Sequence, residues 1–363
     1  MKKNRTKNIN SEQKHLLVFR FSAMGDVVLT LPVVRGVLNS NPNIKITIVT
    51  RDFFAPFFRG IDRLDTFPAE FSGKHKGLMG LINLYRELKK LGSYDAIVDL
   101  HAVIRTEVLK FLFSFNKLRA YTLVKDRHIK EKYLHLKNEP KLKHSIERYR
   151  DVFKRLGIDT SIAELPSFIL KKEVKDKAQT FLDEENTSGK TVIGIAPFAK
   201  HKLKMWPIKR IRNFIAELEK KENIHILLFG GGRHEKEQLK LLADRYKNCS
   251  MVDLELESEL ALMPKLDCMI SMDSANMHIA ALSGIPVFSV WGATHPGLGF
   301  EAWQQPKENT IQITKEELPC RPCTIYGKGI CHRGDFACME RITPAMVINR
   351  LVQSGIIERE KAH

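Results

Sequence analysis

Short apolar runs rich in β-branched residues recur along the chain, each followed by a small-residue turn and then by apolar positions spaced three and four apart. HLLVFRF at His15–Phe21 predicts a strand, Ser22–Asp26 a turn, and Val27–Asn39 a helix whose start Pro32 fixes or kinks. IKITIVT at Ile44–Thr50 predicts the next strand, and YDAIVDLH at Tyr94–His101 a further buried one. Thr106–Phe115 and Ser145–Leu156 have helical spacing, the second ending at Gly157, whereas Phe53–Lys76 has no clear period and predicts no element. The polar stretch Lys171–Lys190 ends in the turn-like N-T-S-G-K and is read as a domain boundary. Beyond it the alternation resumes with strand Thr191–Pro197, helix Pro207–Lys221, strand Ile224–Gly230, helix His234–Lys247 and helix Ser258–Leu266. Strands alternating with helices in both halves predict two parallel-sheet α/β domains.

The pattern is sharpest at LDCMISMDSANMHIAALSG, Leu266–Gly284, followed at once by IPVFSVWG. Asp267–Met272 predicts a buried strand, Asp273-Ser274-Ala275 a turn and Asn276–Leu282 a helix closed by Gly284, with Pro286–Trp291 as the next strand. Such a turn sets a carboxylate, a hydroxyl and the first free N–H groups of a helix at the carboxyl end of a parallel strand, where α/β sheets hold ligands. Ser274 is expected to cap that helix while its neighbours grip a phosphate, with His278 about one turn in. A plain N-cap over a core histidine is the alternative.

Composition narrows the choices. The 363 residues suffice for two domains with cores of their own, and an apolar fraction of 43% is ordinary for a soluble protein. No run approaches a membrane-spanning helix, and MKKNRTKNIN at the start has no hydrophobic segment, so a cytoplasmic location is expected. The net charge is +17, with Lys and Arg dense from Lys117 to Arg150, which attracts polyanions: nucleic acid, anionic lipid or a phosphorylated substrate. No basic zipper, Cys/His finger or aromatic RNA-binding strand accompanies the charge, so no nucleic-acid partner is expected. Leu118, Tyr121, Leu123, Val124, Tyr133 and Leu134 interleave with the basic residues, which suits a surface facing anionic lipid as well as it suits an amphipathic helix packed on a sheet.

Three ordered motifs carry a resemblance. D-S-A-N-M-H-I-A-A-L-S-G-I-P-V with W-G-A-T after it, S-A-M-G-D-V-V-L-T-L-P at Ser22–Pro32, and K-M-W-P at Lys204–Pro207 together resemble glycosyltransferase family 9, the lipopolysaccharide heptosyltransferases. That family usually has glycine where this chain has Ala275. The resemblance implies a GT-B fold: two Rossmann-like, doubly wound parallel-sheet domains facing across a cleft that holds the active site. On that scheme residues 1–175 bind the acceptor and residues 176–363, with their cysteine-bearing tail, bind the nucleotide-sugar. It implies ADP-heptose as donor, a phosphorylated Kdo–lipid A type acceptor, inversion at the transferred sugar and peripheral contact with the inner face of the cytoplasmic membrane.

Glycosyl transfer needs a base, charge for the leaving diphosphate and a pocket for the sugar. Asp26, preceded by Gly25, matches the family's catalytic aspartate, the alternative being a helix cap. Lys204 matches the lysine that contacts the donor diphosphate, while Lys200, His201 and Lys202 crowd the same loop and spacing does not choose among them. Gly230-Gly231-Gly232 follows a strand and precedes a helix, without a Walker or G-x-G-x-x-G pattern. Glu235 resembles the family acid that holds the donor ribose, with Glu237 as its rival. Gly25, Gly231, Glu235, Asp273, Ser274, Ala275 and His278 form the expected donor side. Helix dipole, N–H groups and His278 jointly meet a diphosphate, so no cofactor and no catalytic divalent ion is expected.

Four of the six cysteines stand in the tail as Cys320-x2-Cys323-x7-Cys331-x6-Cys338. Free thiols, a structural metal site with His332 as spare ligand, and disulfides are all open. Two rival functions also stand. A GT-B sugar-nucleotide epimerase would share the fold without needing a lipid acceptor, and a polyanion-binding protein would explain the charge alone.

Overall fold

The computed structural model describes residues 13–135 and 141–358; the MKKNRTKNIN segment lies outside them. In chain order the helices and strands are β1 (Lys14–Phe19), α1 (Met24–Val28), α2 (Leu31–Ser40), β2 (Ile44–Thr50), β3 (Leu64–Pro68), α3 (Gly77–Lys90), β4 (Ala96–Asp99), α4 (Ile104–Ser114), β5 (Arg119–Thr122), α5 (Arg127–His135), α6 (Ser145–Arg155) and α7 (Lys172–Glu184). They continue with β6 (Thr191–Ala196), α8 (Ile208–Glu219), β7 (Ile224–Leu228), α9 (Arg233–Ala243), β8 (Cys249–Met251), α10 (Leu256–Leu262), β9 (Cys268–Met272), α11 (Ala275–Leu282), β10 (Val287–Trp291), β11 (Thr310–Gln312), α12 (Ala337–Glu340) and α13 (Pro344–Gln353).

Two compact units result. The first takes Thr30–Val124 and Arg148–Ala163 together with the described residues up to Ala23. Its five strands pair in the order β3-β2-β1-β4-β5, all parallel. Leu17, Phe19, Leu84, Leu88, Ile97, Leu109 and Phe113 form its core on one face, where α3 and α4 cover the sheet. The second unit takes Met24–Leu29, Lys125–Glu147 and the chain from Glu164 onward. Its six strands pair in the order β11-β10-β9-β6-β7-β8, again all parallel. Two parallel-sheet α/β domains are thus present, as the alternation predicts.

The differences from the sequence reading have simple causes. The helix expected over Val27–Asn39 is two helices, broken at Leu29 and Thr30, because Pro32 sits in the first turn of α2 and lacks the N–H that a continuous helix needs. Asp26 therefore lies on α1, not in a turn. The polar stretch Lys171–Lys190 contains α7, whose buried residues Ala178 and Leu182 are four apart amid charge. Phe53–Lys76 holds a 3-10 turn, Asp52–Phe58, and the strand β3.

Candidate functional site

The order of the second sheet reverses at β6, whose neighbours β7 and β9 lie on either side. At such a point the loops after adjacent strands diverge and leave room for a ligand at their carboxyl ends. The loop after β6 carries Lys204 at the end of a 3-10 turn, Lys202–Lys204. The loop after β9 carries Asp273 and Ser274 and opens directly into α11.

Lys204 Nζ stands 2.7 Å from Asp273 Oδ2, with the lysine side chain 15% and the carboxylate 6% exposed. Thr294, in the loop after β10, donates its hydroxyl to the same Asp273 oxygen at 2.8 Å. The backbone on both sides is pinned. Trp206 donates its N–H to the Met272 sulfur at 3.2 Å and its indole N–H to the Ile342 carbonyl at 3.0 Å, and Ala293 N donates to Leu203 O. Of the cations crowding this loop, the geometry joins Lys204 to Asp273. His201 is more open, and its pKa is lowered by burial and then by the nearby lysines.

Ser274 is the N-cap of α11, yet its side chain makes no capping hydrogen bond; its Oγ lies 3.2 Å from Ser271 Oγ. The expected cap is not made, because the serine hydroxyl turns back to β9, and the helix start lacks a side-chain acceptor. Ala275 is the first helical residue, in the place where the family usually has glycine. His278 is buried one turn in. Burial lowers its pKa to about 4, while Asp273 and Asp26 oppose the shift and Lys204 adds to it. Near neutral pH it is therefore an uncharged imidazole, and its Nδ1 has no hydrogen-bond partner among the described residues.

Gly25 explains how α1 reaches this helix. A Cβ on Gly25 would stand 2.9 Å from His278 Cδ2 and 3.4 Å from the Ala275 Cα, so only a glycine lets α1 lie this close to α11. Asp26, the next residue, comes near enough to His278 to act on its charge. Gly25, Asp26, Lys204, Asp273, Ser274, Ala275 and His278 are thus gathered in one unit. Gly231 lies in the loop after β7 and Glu235 in the first turn of α9, where the Gly231 N–H donates to Glu235 Oε2 at 2.9 Å and Gly232, at φ +79°, is the N-cap of α9. Glu237 pairs with Arg233 at 3.1 Å.

Sequence reasoning missed three supports. Arg321 is 2% exposed and donates to the carbonyls of Gly292, Thr294 and Ile313 and to the Gln312 side chain, which holds the Thr294 loop in place. Gly327, at φ +76°, lies so near the Lys204 stem that a Cβ would meet its Cγ at 2.6 Å. His144 accepts from the Ile146 N–H at Nδ1, so Nε2 carries the proton and donates to the Glu301 carbonyl at 3.0 Å. Burial, then the nearby His278, lowers the His144 pKa to about 3. Thr294 was visible as the last letter of W-G-A-T; nothing local marked the other three.

All six cysteines are free thiols, and among the described residues no three His, Cys, Asp or Glu side chains are grouped to hold a metal ion. Burial pushes the Cys338 thiol up to about 12 and raises Cys323 as well.

A lysine–carboxylate pair thus stands at the switch point of a parallel α/β sheet, beside a helix start without a side-chain cap, the place where sheets of this class bind ligands. The family model of glycosyltransferase family 9 (heptosyltransferase) matches residues 82–328, and the chain belongs to that family. It is 24% identical over 326 residues to lipopolysaccharide heptosyltransferase 1 of Escherichia coli K12, an alignment covering 84% of this chain and 97% of that one. The crystal structure of a family 9 glycosyl transferase from Veillonella parvula superposes with a TM-score of 0.75 at 19% identity, covering 96% of this chain and 98% of that one. E. coli heptosyltransferase WaaC, solved with ADP-2-deoxy-2-fluoro heptose, gives 0.64 at 19% identity, covering 94% and 99%. The fold is the GT-B type of these glycosyltransferases.

Proposed function

We propose that the protein transfers a heptose from ADP-heptose to the inner core of lipopolysaccharide, on a phosphorylated Kdo–lipid A type acceptor, with inversion at the anomeric carbon. The observation that carries the reading is the Lys204–Asp273 pair at the start of α11, with α1 and its Asp26 packed against that helix. Asp26 takes the proton of an acceptor hydroxyl as its oxygen bonds to the anomeric carbon, and the bond from that carbon to the diphosphate breaks. The departing ADP carries the extra negative charge, met by Lys204, the N–H groups of α11 and His278. Neutral His278 serves as a hydrogen-bond donor there. Asp273 keeps Lys204 oriented while the site is empty, and Glu235 holds the donor ribose beside Gly231. This cationic cradle needs no divalent ion.

The first unit binds the acceptor and the second, which runs on from Glu164 rather than from residue 176, binds the nucleotide-sugar. A lipid-linked acceptor puts the enzyme at the inner face of the cytoplasmic membrane as a peripheral protein, in keeping with the net charge of +17. No described helix is long and apolar enough to cross a membrane.

A donor panel tests the reading. ADP-heptose should raise the melting temperature more than other sugar-nucleotides, and ADP release should depend on acceptor. Isomerised sugar-nucleotide formed without acceptor would overturn it in favour of an epimerase.

A further inference from the structure

The outward face of α4 is apolar where a surface helix is ordinarily polar. Its inward positions Thr106, Leu109 and Phe113 are buried against the first sheet. The opposite face carries Ile104, Phe111 and Phe115 at spacings of seven and four, so they form one stripe along the helix, with Val108 at its margin half-buried against the core. Ile104 is 83% exposed, Phe111 63% and Phe115 71%, and the two phenylalanine rings pack on each other in solvent with centroids 5.1 Å apart. Leu78 and Met79 are exposed at the start of α3, the helix packed beside α4. Bare apolar surface on this scale marks an interaction site.

The charge around the stripe says what covers it. Residues 104–120 contain four basic side chains, Arg105, Lys110, Lys117 and Arg119, and a single acid, Glu107. Glu107 is taken up by Lys110 at 2.7 Å. Lys117 and Arg119 follow the helix as exposed cations, and Arg105, also exposed, stacks over Phe71 at 4.8 Å. Two such faces from a chain of net charge +17 repel each other, which disfavours a second copy as the occupant. An anionic lipid surface satisfies both halves of the patch: aromatic and aliphatic side chains enter the headgroup boundary while the cations meet lipid phosphates.

We infer that the α4 stripe, Ile104, Phe111 and Phe115 with Lys117 and Arg119 beside it, is the surface by which this protein docks on an anionic bilayer. The inference rests on the reading of the acceptor as a membrane lipid. Docking by this face would let the first unit take acceptor from the bilayer plane without a spanning segment.

Flotation with phosphatidylglycerol-containing vesicles and with pure phosphatidylcholine vesicles tests it. The whole protein should float with the anionic vesicles, bind pure phosphatidylcholine at least tenfold less, and release as salt rises to about 0.5 M. Phe111→Ser with Phe115→Ser should lower the partition coefficient at least tenfold while the melting temperature holds, and Lys117→Glu with Arg119→Glu should do the same by removing the charge. Undiminished binding by both variants, or no binding by the wild type, overturns the inference. Loss of a dimer in sedimentation by the Phe111/Phe115 variant also overturns it, giving the face to a second copy. Transfer to a water-soluble acceptor without acyl chains should be unchanged in the variants. If vesicles are bound and no transfer occurs even in the wild type, the proposed activity fails and the docking surface stands.

Discussion

Gly25 and His278 touch in a way that no other residue at position 25 would allow: a methyl group there would press on the imidazole edge at 2.9 Å. That contact lets the helix bearing Asp26 lie beside the helix that opens at Asp273. Gly25→Ala should therefore lower kcat by roughly tenfold or more, because a small displacement of catalytic groups costs a large factor in rate. Transfer kinetics beside a melting curve check this; a variant with unchanged kcat would show that the close approach is not used in catalysis.

Lys204→Ala should cut kcat/KM by about 10²–10³, the scale of losing a preorganised charge contact to a developing anion. ADP affinity should fall with it. Asp273 would then be buried without its cation, so the melting temperature should drop too. In Lys204→Ala with Asp273→Ala, stability should recover relative to the single lysine variant while activity does not, measured as a double-mutant cycle.

Acid stability follows from the two buried histidines. His278 and His144 have folded pKa values of about 4 and about 3, below the ordinary 6.5, so the unfolded chain binds their protons first. Stability should fall as pH drops below 6.5, by on the order of 2–3 kcal/mol for His278 at pH 4.5. Glu259 runs the other way: burial raises its pKa to about 7, so its share of stability falls as pH rises from 4.5 to 7. His278→Asn should flatten the acid limb of the melting temperature against pH by a few degrees. A curve parallel to that of the wild type would mean that His278 is solvated or charged in the folded protein.

The tail reaches the same lysine. Gly327→Ala places a methyl group in the path of the Lys204 stem at a left-handed backbone position, so both space and conformation oppose it. Activity should fall more than tenfold, whereas Gly329→Ala, also at positive φ but with open space around its Cβ position, should cost stability alone. Paired kinetics and melting curves separate the two.

Chelation should leave the transfer rate within about twofold, because Lys204 and the start of α11 supply the positive potential that a bound cation would otherwise provide. A large loss with EDTA, restored by added divalent ion, would require a metal in the step.

The middle of each sheet was legible and its edges were not. IKITIVT was read to the residue because six of its seven positions are buried, so every residue but the half-buried Lys45 is apolar or β-branched. Edge strand β5, the four residues RAYT, is exposed or half-buried throughout, so its stretch reads as a lipid-facing surface or an amphipathic helix rather than a strand, and edge strand β8 has three residues. The strand, turn and helix around Asp273 were legible because the turn after β9 is local chemistry. Arg321 was not, because its partners are backbone carbonyls up to 29 positions away, and a carbonyl has no letter in a sequence.

The grip of Arg321 on Gly292, Thr294 and Ile313 ties the last sixth of the chain to the loop that orients Asp273. An exchange of donor specificity with a relative would therefore have to move residues 292–342 as one block. A graft that stops at the end of β10 would leave the guanidinium facing foreign carbonyls and the new sugar pocket without its keystone.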